Sequence, residues 1–157
     1  MADLKSIIAY ILLHYPFKDE LSNARVTKMV YLADWKHALT TGQQLSSINW
    51  YFDNFGPFVW DVKTTASDHP ELFAIEQTSN MFGESKSLFV LKSIPDVSSL
   101  SKSGTDAIQH VIESTSSLGW VKFIRLVYGT YPITNNPRYS YLNLEQSAKE
   151  YKMKQTH

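Results

Sequence analysis

The chain has 157 residues, enough for one domain with a core of its own and no need of covalent staples. Fifteen Lys or Arg offset fifteen Asp or Glu, so the long-range field that draws proteins to phosphate backbones is absent. Arg25, Arg125 and Arg138 are the whole complement of arginine, which makes nucleic acid a poor fit as partner, and the absence of cysteine removes disulfides and thiolate chemistry and agrees with a cytoplasmic setting.

Leu4, Ile7, Ile8, Ile11 and Leu12 recur at helical spacing behind Asp3, a natural N-cap, and Pro16 closes the segment. The apolar run over residues 7–13 is too short to cross a bilayer and lacks the flanks of a leader, so no membrane partner is expected. Ser22 caps a second predicted helix that runs to about Thr40 and stops at Gly42. Within it Val26, Met29, Val30 and Ala33 make the core stripe, while Lys28, Asp34 and Lys36 fall elsewhere around the cylinder.

Ile48, Trp50 and Phe52 alternate with Asn49, Tyr51 and Asp53, the period of a short strand. Gly56-Pro57 ends it, and Pro57 suits the first position of a helix predicted from Phe58 to about Ser67, before the break at Asp68-His69-Pro70. Residues 72–78 and 86–91 predict a β-hairpin with a longer loop around Asn80-Met81-Phe82-Gly83-Glu84. Beyond a serine-rich connection, Thr105 or Ser103 caps a helix carrying Ala107, Ile108, Val111 and Ile112, and Ser117 caps another over Leu118 to Tyr128. Asn143 and Gln146 have capping-box spacing and start a polar last helix that frays toward His157. The expected fold is α+β and mainly α: a single helical domain over residues 1–157 with a small β-hairpin.

Sites of chemistry are sparse. His14, His37, His69, His110 and His157 include no pair at the spacings that hold a metal on one helix face, and His37, one turn after Asp34, reads as part of an exposed helix face. The six glycines form neither a phosphate cradle nor a nucleophile elbow. No catalytic residue, cofactor or metal is expected. A hydrolase or transferase hidden in Asp34, His37, Asp53 or Asp61 would need two of them to converge in a cleft.

Aromatic surface is plentiful instead. Trp50, Tyr51, Phe52, Phe55, Phe58 and Trp60 fall within eleven residues around Gly56-Pro57, more apolar area than one loop can leave in water. Trp50, Phe52, Phe55 and Phe58 are expected inside, and Tyr51 and Trp60 beside Asp53 on a wet or partner-facing side. A second group, Tyr128, Tyr131, Tyr139 and Tyr141, sits among Pro132, Asn135, Asn136 and Pro137, in a stretch too polar and proline-broken to be core throughout.

The run Thr27-Lys28-Met29-Val30-Tyr31-Leu32-Ala33-Asp34, followed by Gly42 with Leu45, Ile48-Asn49-Trp50-Tyr51 and Phe55-Gly56-Pro57-Phe58-Val59, resembles the Panacea antitoxin domain of the SocA-like or GepA-like family. Met29 replaces the usual Leu after the Lys, and Asp53-Asn54-Phe55 lengthens the approach to Gly-Pro. In that resemblance Lys28, Tyr31, Trp50, Phe55, Gly56 and Pro57 are the structural motif. It implies a small, mainly helical protein, encoded beside a toxin, that neutralises this cognate toxin by direct binding without a catalytic residue. The binding residues expected are Tyr51, Asp53, Trp60, Tyr128, Tyr131, Tyr139 and Tyr141. Two alternatives stand beside it, a DNA-binding autoregulator and an adaptor that delivers a toxin to a protease, and self-association into a homo-oligomer is left open.

Overall fold

Helix α2 (Asn23–Thr41) is the axis around which the chain is wound, and every residue from Arg25 to Trp35 is buried. The computed structural model describes residues 1–79, 83 and 85–155. Before α2 come α1 (Leu4–His14) and a 3₁₀ turn at Lys18–Glu20; after it come β1 (Tyr51–Asp53), β2 (Gly56–Phe58), α3 (Asp61–Asp68), β3 (Phe73–Ser79) and β4 (Ser85–Leu91). Helices α4 (Lys102–Thr115), α5 (Trp120–Tyr128), α6 (Tyr131–Thr134) and α7 (Leu144–Gln155) complete an α+β, mainly α fold. α4, α7, α3 and β2 all pack on α2.

The ends of these helices follow local chemistry. Asp3 caps α1, Ser22 Oγ accepts from the Arg25 amide at 3.2 Å to open α2, and Gly42 closes it at φ +85°. Asn143 Oδ1 accepts from the Gln146 amide at 3.0 Å, but the Gln146 side chain bonds Glu150 instead of returning the contact. Two predicted caps move. Ser101, not Ser103 or Thr105, caps α4, because Ser103 Oγ is held by His37 Nε2 at 2.9 Å; α5 starts behind Gly119 rather than Ser117.

A helix covered on all sides must satisfy its own charges. Lys28 and Asp34 therefore lie inside and not around the outer face, since the apolar stripe picks out only one of several buried faces. Asp34 accepts from the Ser46 amide at 2.8 Å, Ser46 Oγ at 2.6 Å and Trp50 Nε1 at 2.8 Å, fixing the loop that leads to β1. Burial pushes its carboxyl up to about 6, against the pull of those donors. His37 is buried too, not on an exposed face: its ring nitrogens meet Gln43 O at 2.6 Å and Ser103 Oγ. Arg25 donates through Nη2 to Tyr15 Oη, Thr115 O and Leu118 O, each at 2.9 Å, and lies on the Phe123 ring, joining α2 to the end of α4 and to α5.

The two sheets are separate antiparallel hairpins. The second is the predicted one, with Ile75 opposite Phe89, and β4 is tied to the approach to α2 by the Phe89 amide on Leu21 O at 2.9 Å. Asn80, Met81, Phe82 and Glu84 of its predicted loop lie outside the described residues, as does His157. The first hairpin corrects an expectation: Phe58 ends β2 and helix α3 begins only at Asp61. Gly56 and Phe58 pair with Asp53 and Tyr51, and a ladder in place holds residue 58 extended.

Asp34→Ala leaves three donors, two of them on one serine, without their acceptor. The expected loss is about 3 kcal/mol or more of unfolding free energy, read from urea denaturation at neutral pH.

Candidate functional site

The site is built on the first hairpin. β1 and β2 are joined by the two residues Asn54 and Phe55, and the Asp53 carboxylate accepts from the Asn54 amide at 2.8 Å. Gly56 follows at φ +101°, a conformation that side chains resist, and a Cβ there would also stand 3.5 Å from the Tyr128 ring and 3.7 Å from Lys28 Cε. Pro57 faces Phe52, whose amide and carbonyl point away from it to Ser140 O at 2.9 Å and the Tyr139 amide at 2.6 Å. The proline's missing N–H is thus not needed in the ladder.

Those two bonds, with the Leu142 amide on Trp50 O at 2.9 Å, lay residues 139–142 along β1 as an extra extended segment and set Tyr141 opposite Tyr51. Tyr139 adopts φ +67°, and its hydroxyl donates to Asn54 Oδ1 at the turn. Holding a non-glycine residue there costs about 1 kcal/mol. Trp50 is buried below, edge-on to Tyr31 at 5.5 Å, and the Tyr31 hydroxyl meets Thr130 Oγ1 at 2.8 Å.

Lys28 lies under the hairpin. Its ammonium makes no hydrogen bond or ion pair among the described residues and sits 5.7 Å from the centre of the Phe58 ring. Loss of water lowers its pKa to about 8, with the Asp53 carboxylate pulling the other way.

Above it the hairpin opens as a shallow groove of about 370 Å³. Tyr51 and Tyr141 stand edge to face at 5.1 Å, Phe58 and Trp60 at 5.0 Å, and Asp53 and Asp61 line the same groove. Tyr141 and Trp60 are 66% and 64% exposed, which leaves most of both rings open to a partner.

The expected site residues thus part company. Tyr51, Asp53, Trp60 and Tyr141 come together in the groove, and Tyr139 stands exposed beside the turn. Tyr128 is packed under Gly56 and against Phe52, and Tyr131 is elsewhere, against Tyr151 of α7. Phe55 corrects an expectation: it is 80% exposed, because a two-residue turn has no inward position to offer. Phe58 is half-buried rather than core, one of its faces being the groove wall. Trp120, half-exposed and outside both aromatic groups marked by the sequence, lines a second cleft of about 890 Å³ with Phe55, Arg25 and Lys86. Its position at the start of α5, after a glycine cap, was the available signal.

Of the four residues considered for hidden catalysis, Asp34 and His37 are spent on structure, while Asp53 and Asp61 share the open groove. Among the described residues no group of three or more His, Asp or Glu could hold a metal ion, and no helix is long and apolar enough to cross a membrane.

Lys28 sets a pH dependence. Its folded pKa is depressed, so the unfolded chain holds the extra proton between about pH 8 and pH 10, and stability rises with pH across that window. Tyr15, pushed up to about 12 by burial, acts in the opposite sense only above pH 10. The gain expected from Lys28 is on the order of 2 kcal/mol in urea titrations from pH 8 to pH 10; Lys28→Met removes that share, leaves the contribution of the same sign from Lys18, whose pKa burial also lowers, and raises stability at pH 7. Gly56→Ala costs about 1–2 kcal/mol in the same measurement.

The model of the family described as antitoxin SocA-like, Panacea domain, matches residues 26–132. No curated protein and no solved structure matches the chain. The matched span runs from the first turn of α2 through both hairpins to α6; α1, Tyr139, Tyr141 and α7 lie outside it. With well over half of its length inside that match, and with the buried Trp50, the Gly56-Pro57 strand and Lys28 assembled as one unit, the chain belongs to the SocA-like antitoxin family, as a Panacea domain.

Proposed function

We propose that this protein is an antitoxin that neutralises its cognate toxin by direct binding, through the face formed by the first hairpin and residues 139–141. The observation that carries the proposal is the gathering of exposed rings along that hairpin, Phe55, Trp60, Tyr139 and Tyr141, around the half-buried Tyr51, in a family described as antitoxin. Large rings beside polar groups supply much buried area at little entropic cost, which is the composition of an interface centre. Asp53 and Asp61 edge the same face, and Tyr128 holds the hairpin from below.

The turn is held ready for such contact. The positive φ at Gly56, the tethered Tyr139 hydroxyl and the three backbone bonds to residues 139–142 keep the rings in place before a partner arrives, so less freedom is lost on binding. Neutralisation of this kind requires occlusion and no reaction.

The toxin encoded beside this protein is expected to copurify with it. Trp60→Ala combined with Tyr141→Ala should weaken that complex at least about tenfold and abolish growth rescue, whereas Tyr131→Ala, on another face, should not. Undiminished rescue by the folded double variant would place the toxin contact elsewhere.

A further inference from the structure

The hairpin groove is built to take a positive charge. Its walls are two ring pairs, Tyr51 with Tyr141 and Phe58 with Trp60, and its carboxylates are Asp53 and Asp61. Among the described residues no Lys, Arg or His lines it. Among the described residues neither carboxylate makes an ion pair and the Asp61 carboxylate accepts no hydrogen bond.

The protein already demonstrates the chemistry once. The Lys28 ammonium stands 5.7 Å from the Phe58 ring and within the field of Asp53, and this carboxylate favours the charge on the inner side of the hairpin although the loss of water there outweighs it. The outer side repeats the same ingredients in greater number, with two further rings largely open to solvent. Arg138, the arginine lying on Phe52, serves the hairpin from outside the groove.

We infer that the groove receives a basic side chain presented by the bound partner, an arginine in preference to a lysine. A planar guanidinium can stack on a ring while its edge donates to a carboxylate, a match that an ammonium makes only with its charge. The groove volume of about 370 Å³ accommodates such a side chain together with water. An acidic or phosphorylated segment is repelled by the same two carboxylates. The identity of the partner rests on the toxin-binding role of this face; the cation preference does not.

The test uses the whole protein and three blocked peptides, acetyl-Gly-Arg-Gly-amide and its Lys and Gln counterparts, followed by NMR at the Trp60 indole and the Tyr51 and Tyr141 rings. The arginine peptide is expected to give saturable shifts confined to the groove, the lysine peptide to bind about threefold more weakly, and the glutamine peptide to leave these signals in place. Asp53→Asn with Asp61→Asn should raise Kd for the arginine peptide by about fivefold or more, with folding checked from the Trp50 indole resonance. Equal shifts with the glutamine peptide, or unchanged affinity in the double Asn variant, overturn the inference. Copurification of the toxin reports separately: a toxin held through this face by a protein that ignores the arginine peptide refutes the cation site alone, and a groove that binds arginine without any toxin leaves the site standing and refutes the antitoxin role.

Discussion

A carboxylate inside a helix that water cannot reach holds this protein together. Asp34 sits on the buried length of α2 and accepts three hydrogen bonds from a loop that has no regular structure of its own. An ionised group in that position is tolerable only while its donors stay, so the loop is bound to one conformation. Ser46 and Trp50 are thereby placed, and Trp50 in turn fixes the start of β1 and, through its carbonyl, the Leu142 amide. The face proposed to bind the toxin hangs from this chain of contacts.

The first hairpin shows how little regular structure a rigid platform needs. Each strand has three residues, too few to persist alone. Support comes from below, where Lys28 and Tyr128 fill the space left by the absent side chain of Gly56, and from the side, where residues 139–142 use the edge of β1 that Pro57 cannot. The left-handed backbone at Tyr139 is the strained part of that arrangement, and it lies where the rings are most exposed.

Two kinds of electrostatic work meet across this thin layer. Beneath it an ammonium is kept from water, at a cost that lowers its affinity for the proton; above it two carboxylates remain outside any direct ion pair among the described residues, Asp53 acting on that ammonium only at a distance. A face that is aromatic and negatively charged, on a protein of zero formal charge, suits a protein partner better than a nucleic acid.

The sequence by itself determined most of the helices and several of their ends, the second hairpin and the family, because caps, helical spacing and the Gly-Pro motif act over a few residues: Asp3, Ser22, Gly42 and Asn143 do locally what their types predict. It also marked Tyr51, Asp53, Trp60 and Tyr141 as candidates. Only the tertiary structure decided which of them share a groove, since Tyr141 reaches Tyr51 through backbone pairing between segments about ninety residues apart, which leaves no periodic trace. It likewise turned Phe55 outward and Lys28, Asp34 and His37 inward. Periodicity reports the apolar face of an element, and α2 is buried on faces whose polar side chains find their partners only in distant parts of the chain.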